Sequence, residues 1–238
     1  TDGEEVTGVD NLQTVGLNPA GRTSLPLDSL SPLRNRVLKI SVAGDYATVA
    51  DLAAISAPYT VETWIKLTGG DNEGTILEKL TTRPGESDPD FRFYLGSGAD
   101  AGTVKFDFRN ANGDPQTVTL ETLVDTPISS ANGWVHLAVT VMADASDADF
   151  TLVTLYAYVE GVEYAQTHRV LGVVDTPSVG TLNIGTATGA DVLPATYDEV
   201  RLWSTQRAGD QIRGERVRRV GPGSGNTLWV AYRFDDGG

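Results

Sequence analysis

The chain has 238 residues, 40% of them hydrophobic, and a formal charge of −14 from 32 acidic against 18 basic side chains. That length and apolar content suit one folded domain, and so acidic a surface repels phosphate backbones and anionic lipid, which argues against nucleic acid or a membrane surface as partner. With no Cys and only His136 and His168, disulfides, thiol nucleophiles, thiolate zinc, iron–sulfur clusters and multi-histidine metal sites are excluded.

The opening TDGEEVTGVD lacks the cationic and apolar parts of a signal peptide, and a start without Met is what a mature fragment or an excised domain would show. No apolar run approaches the roughly 18 residues a membrane-spanning helix needs, so membrane insertion is not expected. Residues 1–35, with GLNPAGRTSLPLDSLSPL inside them, mix Gly, Pro, Ser and Thr without a sustained period. They read as a linker or an extended arm lying on the domain.

The texture changes at Arg36. RVLKISV, YATVADL, YTVETWIKL, GTILEKL, FRFYLGS, TVKFDFRN, QTVTLETL, WVHLAVTVM, FTLVTLYAYVEG, YAQTHRVL, TLNIGTA, YDEVRLW and LWVAYRFDD follow in turn. Most are short, rich in Val, Thr, Ile, Tyr or Phe, and separated by Gly, Asn, Asp or Pro clusters, as strands are. The alternation of apolar and polar side chains predicts strands with one face buried. VEGVEY at 159–164 puts Glu160 and Gly161 between two such halves and predicts a tight hairpin. One helix is expected, over 207–219 (RAGDQIRGERVRR), short and covering one end of the sandwich. No internal repeat is visible. A dozen strands at this spacing predict an all-β fold, an antiparallel β-sandwich of jelly-roll type with one short surface helix.

Seven of these segments, in this order, resemble the laminin G-like, concanavalin A-like jelly-roll superfamily, in particular its pentraxin-related bacterial branch. They are AGDYATV at 43–49, YTVETWIKL at 59–67, GTILEKL at 74–80, the stretch with Gly133, Trp134, His136 and Ala138 to Thr140, LYAYVEG at 155–161, DEVRLWSTQRAGDQIR at 198–213 and LWVAYRFDDG at 228–237. The resemblance covers residues 36–238, so the domain is placed there. It implies a non-catalytic extracellular or cell-surface module of a longer protein, recognising a glycan or a protein partner. Calcium is a candidate structural support: in related jelly rolls an Asp at the start of the DEVR strand faces the loop of the first strand, which points to Asp198 and Asp45 here.

Some members of the superfamily are glycosidases, which need two carboxylates about 5–5.5 Å apart when they retain configuration. Strand residues two or four apart can supply such a pair. The nearest candidate is GESDPDF, with Glu86, Asp88 and Asp90, but Pro89 and its flanks read as loop. Glu62 and Asp107 stand on strands without an acidic residue two positions away. Trp134 and His136 share a strand face, where the family match makes the histidine a structural residue; no G-x-S-x-G element accompanies it. His168 reads as an edge or surface residue.

A second polar set lies in loops, namely Asp71, Asn72 and Glu73 in GGDNEG and Asn110, Asn112 and Asp114 in RNANGDP. These are good turn formers, and they are also candidates for a sugar or calcium site at one rim. Sugar binding wants an exposed aromatic beside them, and strand phase offers Tyr94, Tyr156 and Tyr158. Trp64, Trp203 and Trp229 are expected in the core or at its edge. The reading is therefore a glycan- or protein-binding module without catalytic residues. Its alternatives are a structural or adhesion spacer with no ligand of its own and, less favoured, a glycosidase-type jelly roll. The acidity fits solubility, salt adaptation or cation binding alike.

Overall fold

The computed structural model describes residues 12–15, 22–24, 36–42, 44–52, 54–70, 72–81, 89–110, 113–123, 125–172, 179–186, 191–218 and 227–232. In chain order the strands are β1 (Leu12–Val15), β2 (Arg22–Ser24), β3 (Arg36–Ile40), β4 (Tyr46–Leu52), β5 (Tyr59–Leu67), β6 (Gly74–Thr81), β7 (Pro89–Leu95) and β8 (Val104–Arg109). They continue as β9 (Pro115–Thr119), β10 (Val135–Ala143), β11 (Phe150–Val159), β12 (Val162–Leu171), β13 (Gly180–Ile184), β14 (Ala195–Trp203) and β15 (Leu228–Tyr232), with helix α1 (Gly209–Glu215) before the last. A seven-stranded sheet runs β1-β4-β13-β6-β7-β8-β9. An eight-stranded sheet runs β12-β11-β10-β5-β14-β3-β2, with β15 on β14. All strand pairs are antiparallel, and the two sheets make the expected β-sandwich.

Alternation produces the core. In β8 every second residue is buried, so Val104, Phe106 and Phe108 face inward while Lys105, Asp107 and Arg109 face out. On the inner face Phe106 meets Phe91, Phe93 and Phe108 at centroid separations of 5.7, 6.1 and 5.9 Å. The opposite sheet contributes Val61, Ile65, Leu137, Val139, Val153, Leu155, Tyr197 and Leu202 to the same cluster. Each such side chain stabilises the fold by roughly 1.5–3 kcal/mol on burial.

Two short segments within residues 1–35 pair with the sandwich: β1 lies on β4 and β2 on β3, one in each sheet. The predicted hairpin is present, with Val159 opposite Val162 and positive φ at both loop residues, 51° at Glu160 and 83° at Gly161. That is the backbone a two-residue turn needs if it is to match the strand twist.

The helix differs from expectation in length and place. It spans only Gly209–Glu215, and with its flanks it crosses the outer face of the eight-stranded sheet. Ile212 packs there on Ala138 and Tyr158, Trp64 Nε1 donates to the Arg216 carbonyl (2.8 Å), and Arg201 donates to the carbonyls of Glu215 and Arg218. This cover explains why β14 is buried at every residue and β5 and β10 on both faces. It also corrects two strand-phase expectations. Tyr158 is buried beneath Ile212 and the Arg216 guanidinium, which lies 4.5 Å from its ring, and Tyr156 is half-buried. Trp64 and Trp203 are buried as expected, but under this segment rather than between the sheets; Trp229 borders the main core.

A third correction concerns Pro89. It opens β7, the one place in a strand that tolerates it readily, and Asp90 follows in the strand, ion-paired with Lys79 at 2.7 Å and buried. Glu86 and Asp88 lie outside the described residues.

Candidate functional site

Beneath the C-terminal segment lies a buried charge cluster. Glu62 Oε1 accepts from Trp203 Nε1 (2.9 Å), Arg207 Nη1 (3.1 Å) and Arg201 Nη1 (3.4 Å), while its Oε2 is 3.5 Å from His136 Nε2. Arg201 also bridges to Glu199 (2.7 Å), and Arg207 pairs with Glu215. A bulge in β14 makes this possible: the register shifts between Asp198 and Arg201, and Glu199 adopts φ 51°. Burial alone would raise the Glu62 pKa, but the His136 contact and the two arginines outweigh it and hold it at about 2. Burial lowers the His136 pKa, ahead of the opposing pull of Glu62. Glu62, His136, Glu199, Arg201 and Arg207 are all buried, and their charges pair with one another and with the half-exposed Glu215, so the cluster fastens the segment to the sheet.

The open site is on the other sheet. Arg92 and Tyr94, two apart on β7, point away from the core on the outer face of the seven-stranded sheet. They line a cavity of about 290 Å³ with Glu73, Gly74, Ser97 and Asp191, and Leu95 and Val192 complete its wall. Gly74 lets the far loop close on it. Its φ is +133°, and a Cβ there would stand 2.7 Å from the Asp191 carbonyl oxygen and from the Leu193 nitrogen. The Thr75 amide donates to that same carbonyl at 2.7 Å. Asp191, held at φ 55°, reaches Arg92 Nη1 at 3.4 Å.

Charges in the cavity hold one another. The Arg92 guanidinium lies 4.0 Å from the Tyr94 ring centroid, and its Nε is 3.9 Å from Asp107 Oδ2. Asp107 Oδ1 accepts from Tyr94 Oη (3.1 Å) and Thr117 Oγ1 (2.8 Å). Burial and then Asp107 push the Tyr94 phenol up to about 12, so it stays a neutral donor. Glu73 Oε2 accepts the Gly98 amide at 3.2 Å. The result is a rigid guanidinium–phenol–carboxylate surface, able to donate and accept hydrogen bonds at once.

Of the residues singled out from sequence, Tyr94 and Glu73 meet in this cavity. Asn72 is a strut, donating to the Ile128 carbonyl (3.2 Å) and accepting the Gly102 amide at its own carbonyl (2.8 Å). Asn110 and Asp114 close the β8–β9 turn, where the Asp114 amide donates to Asn110 Oδ1 at 2.9 Å. Asp71 and Asn112 lie outside the described residues. Arg92, Asp107 and Asp191 were missed. The alternation in FRFYL placed Arg92 beside Tyr94, but nothing local signals that Asp191, about a hundred residues on, faces them.

The two aspartates expected to hold calcium have other partners. Asp45 Oδ2 accepts the amides of Ser41 (3.1 Å) and Val42 (3.2 Å), capping its own turn. Asp198 Oδ1 accepts the Glu199 amide at 2.8 Å, at the bulge. Among the described residues no three His, Asp or Glu side chains gather as a metal site would require. Six to eight oxygens are needed, and this pair does not fit that demand. Among the described residues the carboxyls with displaced pKa, Glu62, Asp144 and Glu163, are all displaced downward, whereas a glycosidase acid is displaced upward.

Among the described residues no helix is long and apolar enough to cross a membrane. A family model described as the concanavalin A-like lectin/glucanases superfamily, of the laminin G type, matches residues 41–213. No curated protein matches the sequence. Among solved structures, the receptor-binding domain of botulinum neurotoxin D aligns with TM-score 0.54 at 16% identity, covering 88% of this chain and 49% of that one. The binding domain of botulinum neurotoxin serotype G gives 0.52 at 10%, covering 76% and 42%. A candidate carbohydrate-binding protein from Bacteroides ovatus gives 0.51 at 18%, covering 78% and 49%. The chain thus spans less than half the length of these structures, and the likeness is one of fold.

Proposed function

Because the chain belongs to the concanavalin A-like lectin/glucanase superfamily, we propose that it is a non-catalytic module that binds glycans in the Arg92–Tyr94 cavity. The observation that carries the reading is the cavity itself. It is open to solvent, about 290 Å³ in volume, and lined by a fixed aromatic, a guanidinium and two carboxylates. That is the mixture of apolar face and convergent polar groups that small-molecule sites use. Structures of the same fold that are described as receptor-binding or as a candidate carbohydrate binder support a binding role over a catalytic one. On this reading the module works outside the cell, as part of a longer protein. No calcium ion enters the reading.

Glycan-array screening of the intact chain, followed by titration of the hits, tests the proposal. Tyr94→Ala and Arg92→Ala should each weaken binding about tenfold or more, the effect of losing roughly 1.4 kcal/mol, while unfolding midpoints stay near the parent value. Glycan binding that survives both substitutions would remove the site. A chain that binds no glycan would leave the scaffold or adhesion reading.

A further inference from the structure

We infer that this cavity selects neutral oligosaccharides, through adjacent hydroxyls, and rejects acidic sugars. The inference rests on the glycan-binding reading and names the ligand class of the same site. Arg92 is the cation among the described lining residues, and its charge is already matched. Its Nη1 is 3.4 Å from Asp191 Oδ2, its Nε is 3.9 Å from Asp107 Oδ2, and its face rests on Tyr94. Two lining carboxylates, Glu73 and Asp191, against one guanidinium leave the wall net negative, and Asp107 adds a further negative charge directly behind. The chain as a whole carries −14.

A uronate or sialate carboxylate approaching Arg92 would have to compete with Asp191 and Asp107 for its charge, and it would then sit beside Glu73. Both steps cost Coulomb energy in a cavity that is partly screened from water. A neutral sugar meets no such barrier. Each of its hydroxyls can donate to a carboxylate and accept from the guanidinium, and neighbouring hydroxyls match the two oxygens of one carboxylate. The residues that hold Arg92 in place therefore also exclude anions.

The test titrates the intact chain calorimetrically with neutral galacto-, manno- and arabino-oligosaccharides and with their uronate-terminated counterparts. At low salt the best neutral ligand should bind at least about tenfold more tightly than its acidic counterpart. That ratio should shrink as ionic strength rises and the Debye length falls from about 30 Å toward 3 Å. Asp191→Asn should shrink it too; Asn tolerates the positive φ at this position, and an unchanged unfolding midpoint will confirm that the fold is kept. Equal or tighter binding of the acidic ligand, or a preference indifferent to both salt and Asp191→Asn, would overturn the inference while leaving glycan binding intact. If neither set binds, the glycan-binding reading falls and this inference with it.

Discussion

Glu62 shows how much one side chain can hold. Its Oε1 is shared by Trp203, Arg207 and Arg201, all of them buried. Replacing it with alanine leaves two guanidinium groups in a dry interface without their common acceptor. Breaking a buried pair in this way costs about 3–5 kcal/mol, so urea unfolding of Glu62→Ala should show a loss of that size; a loss below about 1 kcal/mol would mean that water reaches the arginines. At the rim the logic differs. Arg92 and Tyr94 are only part-buried, and removing either should be felt in binding far more than in stability.

At the scale of elements, the strands were legible because alternation is a local pattern. YTVETWIKL, TVKFDFRN and FTLVTLYAYV each became a strand, and VEGVEY became the hairpin. What sequence could not show was how the outer faces are used. RAGDQIRGERVRR has a single buried apolar anchor, Ile212, so no periodicity announces that it will cover a sheet. Its docking depends on polar partners from distant strands: Glu62 on β5, Arg201 on β14 and the indole of Trp64. Tyr158 was therefore misread as exposed, since phase fixes which side of the sheet a residue faces but not what lies over it. Pro89 was misread because a strand's first position spares its missing donor. The site was half legible for the same reason: Tyr94 and Glu73 carry local cues, whereas Asp191 depends on the close approach that Gly74 permits.

For the whole molecule, the displaced pKa values set a stability window. Glu62 is held at about 2, below the usual 4.5, and His136 lies below its usual 6.5. In both cases the unfolded chain binds more protons than the native one as pH falls, so acid favours unfolding. Stability should decline as pH drops through 6.5 and more steeply below 4.5. Tyr94 and Tyr158 are raised to about 12, chiefly by burial, and Tyr59 and Tyr197 are raised further. Their contribution is present below pH 10 and is lost as pH rises above it. Thermal midpoints across pH should therefore form a plateau between about 7 and 10; a maximum near pH 4 would contradict this account.

The claim that the rim cavity is where ligand binds is tested most directly by backbone amide NMR during titration with the best glycan from the array. The account predicts shift changes confined to Glu73–Thr75, Arg92–Ser97 and Asp191–Val192, with α1 and the outer face of the eight-stranded sheet unmoved. Shifts centred on β10, β11 and α1, with the cavity silent, would contradict it and move the binding surface to the opposite side of the sandwich.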